Sequence, residues 1–182
     1  AAQGADDKAT HLRVRVRALA WQSNFQRALG QKDAALRLQQ QCLAILQDPA
    51  LAGSDTRLER AVLSWSVGFT FVWLPDYAQA RRHIEESYSL FRALDLRWGM
   101  AWALNAWGVM SMFLGAYGDA KLRLDEGLAI NQALGNRFGV AYSVANLAEI
   151  ACVEGRFDEA ELLAREGVDI LLEAGGRTEW AL

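Results

Sequence analysis

Side chains able to do acid–base or nucleophilic chemistry are few and scattered in this chain. Its only histidines, His11 and His83, lie far apart, so neither a metal site nor a histidine-based triad has the residues it needs. No G-x-x-x-x-G-K-[ST] phosphate loop, G-x-S-x-G turn or H-E-x-x-H pair is present. Carboxylates adjoin at Glu85-Glu86, Asp125-Glu126 and Asp158-Glu159. Neighbours on a helix point about 100° apart, so these pairs do not converge on a bond as a glycosidase pair does; they read as solvated. Cys42 and Cys152 stand 110 positions apart with no C-x-x-C spacing, which predicts buried, reduced thiols in a reducing compartment. Arg57, Arg97, Arg137 and Arg177 recur at linker positions. Contact with a helix C-terminus and an inter-repeat ion pair is the expectation for them, with phosphate binding as the alternative. These observations predict a protein that is not an enzyme and that uses no metal and no cofactor.

The chemistry-poor residues are arranged with a strict period. Arg97, Gly99, Ala101, Gly115, Ala120 and Gly127 return as Arg137, Gly139, Ala141, Gly155, Ala160 and Gly167, each 40 positions later. A fixed period of this size marks a helical-repeat array. Apolar residues at helical spacing predict helices over 11–29, 32–47, 56–74 and 76–94, followed by two further pairs. Ala35, Leu38, Cys42 and Ile45 or Leu46 face inward on the second helix, and Tyr77, Ala80, Ile84, Tyr88 and Phe91 share one side of the fourth. Gly30, Pro75, Gly115 and Gly155 separate the helices of each pair. The first interval between these separators is 45 residues and the others are 40, which places five extra residues near Ala50 to Ser54. Leu12 to Arg17 alternates like a strand but sits inside a longer helical pattern. The units therefore span 11–55, 56–96, 97–136 and 137–176, one repeat domain over 11–182. A fifth helix starts at 177–182, and 1–10 reads as a linker or the edge of a piece cut from a longer protein.

Composition fits this reading. The 182 residues are 52% hydrophobic and 23% charged, with only two prolines. No apolar run reaches the roughly 18 residues of a membrane span. The net charge of −3 argues against general nucleic-acid binding. Nine basic residues face six acidic ones up to Arg60, and ten face sixteen beyond it. The acidic second part reads as a solvated outer face.

Within each pair, small and large residues keep one order. The third unit carries Leu104, Trp107-Gly108, Leu114-Gly115, Tyr117, Ala120, Leu124 and Gly127; the fourth carries Val144, Leu147-Ala148, Gly155, Phe157, Ala160, Ala164 and Gly167. This resembles the tetratricopeptide repeat, strongly in the last two units and weakly in the first. Two departures stand out: the period is 40 rather than about 34, and the closing proline is missing. The long units, with linkers such as Ala133-Leu134-Gly135-Asn136-Arg137-Phe138-Gly139, are similar to arrays in bacterial MalT-like and AfsR-like signal-transduction ATPase regulators. They are also similar to animal scaffold proteins of the LGN type. The resemblance implies an all-α, right-handed superhelical solenoid of four antiparallel hairpins plus the start of a fifth helix.

It also implies that the first helix of each pair lines a concave inner wall. The residues placed there as partner-binding are Trp65, Phe69, Trp73, Trp102, Asn105, Met112, Phe113, Tyr142, Asn146 and Glu149. So many aromatics would exceed the apolar patch a monomer normally exposes. The alternative is that long helices need extra core and Trp65, Trp98 and Trp107 fill it. The family's carboxylate clamp is excluded, because Ala20, Ser66, Trp102 and Ala106 occupy four of its positions, although Asn24 fits. The expected partner is a peptide, a helix or another domain of the same protein, with no direct nucleic-acid or membrane contact. A small-molecule inducer of a transcriptional regulator and a homo-oligomeric scaffold are the alternatives. The expected location is cytoplasmic.

Overall fold

The chain forms consecutive antiparallel helical hairpins, here in a computed structural model that describes residues 2–175. The helices are α1 Ala2–Ala28, α2 Lys32–Leu46, α3 Arg57–Trp73, α4 Tyr77–Ala93, α5 Arg97–Phe113, α6 Tyr117–Ala133, α7 Arg137–Val153 and α8 Phe157–Gly175. No strand occurs among the described residues. The starts of α3, α5 and α7, and of α4, α6 and α8, each recur after 40 residues, so the sequence period is the structural period. The fifth helix expected at 177–182, with Arg177, lies outside the described residues. Helix α1 begins at Ala2, so residues 2–10 are helical where a linker was expected. Contacts gather into two compact units, Ala1–Gly99 and Met100–Leu182; each is described by itself.

Small residues set how closely helices approach within a pair. In the first unit a Cβ on Gly68 would stand 2.8 Å from Ile84 Cγ1 and 3.2 Å from the Ala80 carbonyl. In the second, a Cβ on Gly108 would stand 2.6 Å from Leu124 Cγ and 3.3 Å from the Ala120 carbonyl. Ala80, Ile84, Ala120 and Leu124 are all fully buried. A glycine inside a helix costs about 1 kcal/mol against alanine, and this close packing offsets that cost. The second recurring pair, Gly99 and Gly139, makes room for a side chain of the preceding return helix. A Cβ would meet the Phe91 ring at 2.2 Å in one case and Asn131 Oδ1 at 2.3 Å in the other.

The turns follow the same register. Gly30, Gly115 and Gly155 are left-handed at φ 76°, 70° and 76°, and Pro75 holds the matching place at φ 21°. The Asp76 side chain accepts from the backbone N–H of Gln79, and the Asn136 side chain from that of Gly139. Asp55 accepts from the N–H of Arg57 just ahead of α3. The first linker departs from the pattern. Its five extra residues form a 3-10 turn at Pro49–Leu51. There Leu51 is buried against Ala9 and Leu12 of α1, beside Ile45 and Leu46 of α2.

The two cysteines differ. Cys42 is buried, its Sγ 3.5 Å from the Val16 carbonyl, and burial pushes its thiol up to about 11. Cys152 is exposed, which corrects the expectation that both thiols are internal. An aromatic disulfide reagent should therefore titrate one thiol in the folded protein and two in urea; two fast-reacting thiols without denaturant would contradict the packing of α2 on α1. Gly108→Leu should destabilise the chain by about 1–3 kcal/mol through overpacking, read as a lower urea midpoint. An unchanged midpoint would show that α5 and α6 are not held at this distance.

Candidate functional site

The ten residues expected on an inner wall divide between the two units and between three environments. In the first unit, Trp65 and Phe69 are 4% and 7% exposed, so they pack rather than present. The Trp65 ring lies 5.2 Å from that of Trp21 on α1, and the Arg27 guanidinium sits 4.1 Å above the Phe69 ring. Helix α1 covers a face of α3 that a two-helix view of the repeat leaves open. Trp73, at the end of α3, is exposed, and its carbonyl accepts from Lys32 Nζ at 3.2 Å.

In the second unit, Asn105 is buried and its Oδ1 accepts from Ser143 Oγ at 2.9 Å. It joins α5 to α7 instead of orienting a partner. Met112 packs on Ala120, Leu124, Leu147 and Ile150, so it belongs to the core edge. Trp102, Tyr142 and Asn146 are half-buried, and Asn146 Nδ2 donates to the Tyr142 carbonyl at 2.7 Å. Phe113 and Glu149 are exposed. Trp107 carries the Arg123 guanidinium 4.4 Å above its ring, and Trp98 of the first unit lies tilted 5.2 Å from Phe91. Asn24, which fits the clamp pattern, is buried and donates to the Ala20 carbonyl of its own helix.

The recurring arginines make local pairs. Arg57 forks onto Asp55 and holds that carboxyl down at about 2, chiefly through the side-chain hydrogen bond. Arg137 pairs with Glu173 of α8, within its own hairpin rather than between repeats.

Two polar features of the first unit were not foreseen. Glu59 of α3 is fully buried, and its Oε1 lies 3.3 Å from Arg13 Nε and 2.6 Å from an Arg17 nitrogen. The strand-like alternation of Leu12 to Arg17 is thereby explained: on a helix, Arg13 and Arg17 share one stripe and reach a single carboxylate. Gln39 Nε2 donates to Thr70 Oγ1 at 2.8 Å and Ser23 Oγ at 2.9 Å, and lies 3.3 Å from Ser66 Oγ. This joins α1, α2 and α3. Paired Arg residues one turn apart, and an i, i+4 Ser66/Thr70 pair, were the available signals.

The first unit also contains an open cleft of about 630 Å³ between α2, α3 and α4. Leu36, Leu43 and Leu46 of α2 face Leu63, Val67 and Phe71 of α3, with Arg60, Arg82, His83 and Glu86 around them. The imidazole of His83 stacks on Phe71 at 6.1 Å, its Nε2 lies 3.1 Å from an Arg82 nitrogen, and its Nδ1 is 3.7 Å from Glu86 Oε2. Glu86 Oε2 accepts from Ser64 Oγ at 2.9 Å. Arginine only donates, so neutral His83 accepts at Nε2 and carries its proton on Nδ1. Among the described residues no group of His, Cys, Asp and Glu is placed to hold a metal, and no helix is long and apolar enough to cross a membrane.

Comparison with protein-family models gives no match, and comparison with curated proteins gives none. Among solved structures, the crystal structure of BtubC (BKLC) from P. vanneervenii matches with a TM-score of 0.66 at 21% identity. The match covers 87% of this chain and 63% of that one, so the chain spans less than two thirds of that protein's length. At this identity the likeness carries the helical-repeat fold and nothing finer.

Burial first, and then the Arg82 charge, hold the His83 imidazole below its ordinary 6.5. The unfolded chain then binds more protons than the folded one as pH drops below that value, so stability is lost on acidification. Between about pH 7.5 and about pH 5.5 the urea midpoint should fall less in His83→Gln than in the wild type. Equal losses would show that this imidazole titrates alike folded and unfolded.

Proposed function

We propose that this chain is a non-enzymatic, tetratricopeptide-like binding module that docks a peptide, a helix or a neighbouring domain through apolar side chains at the ends of its first helices. One observation carries the reading. Trp73, Phe113 and Val153 stand 40 residues apart at the last position of α3, α5 and α7, and are 45%, 50% and 56% exposed. Exposed apolar residues recur in two units elsewhere, as Trp98 with Phe138 and Leu122 with Leu162, whereas here one recurs in three. Aromatic side chains of this size give large desolvated area at low entropic cost and are enriched among interface hot spots.

In the first unit Trp65 and Phe69, and in the second Asn105, are buried on these same helices. In the second unit Trp102 and Tyr142 are half-buried, and exposed Glu149 is a charged hydrogen-bond acceptor. Placement within a larger cytoplasmic regulator rests on the linker resemblance, and two free thiols suit a reducing compartment.

Peptides selected on the immobilised chain from a random library supply the probe. Trp73→Ala with Phe113→Ala should weaken them about tenfold or more while helix content and melting temperature hold. Unchanged affinity would place the selected peptides elsewhere. A large drop in melting temperature would make these two residues core and remove the basis of the reading.

A further inference from the structure

The cleft between α2, α3 and α4 is a local departure from the repeat. The five extra residues of the first linker fold so that Leu51 packs on Ala9 and Leu12, which fastens the end of α2 to α1. Helix α2 correspondingly meets α3 more sparsely than α6 meets α7. The space left open is lined by five aliphatic residues and Phe71, with nine polar or charged residues completing its walls. Its volume falls within the roughly 300–1,000 Å³ of small-molecule sites. A cleft of this kind has an apolar body to fill and needs a few polar groups to orient the occupant.

Those polar groups are unevenly charged along the cleft. The line from Arg60 to Phe71 follows α3 for about 17 Å at 1.5 Å per residue. Towards the Phe71 end the Arg82 guanidinium is engaged by neutral His83, whereas Glu86 is held by Ser64, one turn from Arg60. At the other end Arg60 lines the cleft together with Leu46 and Gln47. Arg60 forms no ion pair among the described residues. The cleft thus has at one end a guanidinium in no ion pair, with Glu86 one turn away, and at the far end the flat Phe71–His83 stack, with aliphatic side chains between.

We infer that this cleft is a binding site for an amphipathic organic anion, whose head group is held by Arg60 and Gln47 and whose apolar body lies along Leu43, Leu63 and Val67. A carboxylate can take two parallel hydrogen bonds from a guanidinium. The aliphatic walls exclude water from the body of the ligand. A neutral molecule of the same shape leaves the guanidinium without its partner, and a cationic one is repelled.

Decanoate, 1-decanol and decyltrimethylammonium have the same chain and different head charge. They are titrated below their micelle concentrations into the whole chain by calorimetry. Decanoate should bind at least about tenfold more tightly than decanol, and the cation most weakly, since a charge-assisted hydrogen bond contributes well over one tenfold step. Arg60→Gln should bring decanoate to the level of decanol, whereas Arg82→Gln should change little. Leu43→Trp, at an exposed position on the rim, should block all binding with helix content intact, and Gln40→Trp replaces it if that variant does not fold.

Equal binding of the three probes would overturn the proposal. So would no saturable binding, an Arg60→Gln variant that binds decanoate like wild type, or binding that survives both blocking variants. A doubling of mass in solution that Leu43→Trp abolishes would show instead that a second copy fills the cleft. Because Trp73 and Phe113 lie outside the cleft, peptide binding and decanoate binding fail independently.

Discussion

Two pairs of helices, α3 with α4 and α5 with α6, each depend on one close approach, a glycine of the first helix set against a carbonyl of the second. Gly68 faces the Ala80 carbonyl and Gly108 that of Ala120, with Ile84 and Leu124 filling the space beside them. At Gly68 and Gly108 a side chain would push the helices apart by a fraction of an ångström to an ångström, and a close-packed interior does not absorb such a change. Ala148 takes the same place in α7, so a small residue is what the register keeps. Gly115 and Gly155, and Gly99 and Gly139, recur at the same spacing. Gly99 and Gly139 accommodate different neighbours, Phe91 and Asn131, yet the space reserved is the same. The register is conserved between units by geometry while the filling side chain varies.

Contacts between successive pairs are of another kind. In the first unit α1 and α3 are joined by the Arg13–Glu59–Arg17 cluster and by the Gln39 network with Ser23, Ser66 and Thr70. In the second, α5 and α7 are joined by the Asn105–Ser143 bond. Buried polar groups of this sort add modest net stability, because desolvation opposes them. Their effect is directional: a carboxylate buried between two arginines tolerates one arrangement of its helices and penalises every slipped one. Within a pair, therefore, apolar close packing supplies the cohesion, while between pairs the polar bonds of each unit fix alignment.

The period made the fold legible. Helix starts, turns and the small-residue contacts were all implied by recurrences such as Gly115 with Gly155, because those features repeat wherever the unit does. The site was less legible, for a physical reason. Position along one helix fixes which residues share a face, but not how many neighbours cover that face. Trp65 and Phe69 were expected to line an open wall, yet α1 reaches over them through Trp21 and Arg27. Asn105 was expected to bond a partner, and Ser143, 38 residues away, takes that bond. Glu59 was inconspicuous because a single carboxylate near a helix start reads as an ordinary dipole contact; only the packing of α1 on α3 shows it to be buried. Cys152 has a helical pattern like that of Cys42, and the difference in exposure arises from which element lies over each.

What the repeat cannot generate from its own rule is also informative. A periodic array offers the same surface many times, so a feature that occurs at one place must come from a break in the period. The only break in spacing is the first linker, and the open cleft of the first unit lies directly beside it. Leu51 gains burial against Ala9 and Leu12 beside the end of α2, and α2 meets α3 more sparsely than α6 meets α7. Leaving Leu36 and Leu43 beside an open space forgoes roughly 25 cal/mol for every Å² of apolar surface that closure would have buried. An arrangement that gives up this stability at one place in an otherwise close-packed chain is best understood as space kept for an occupant.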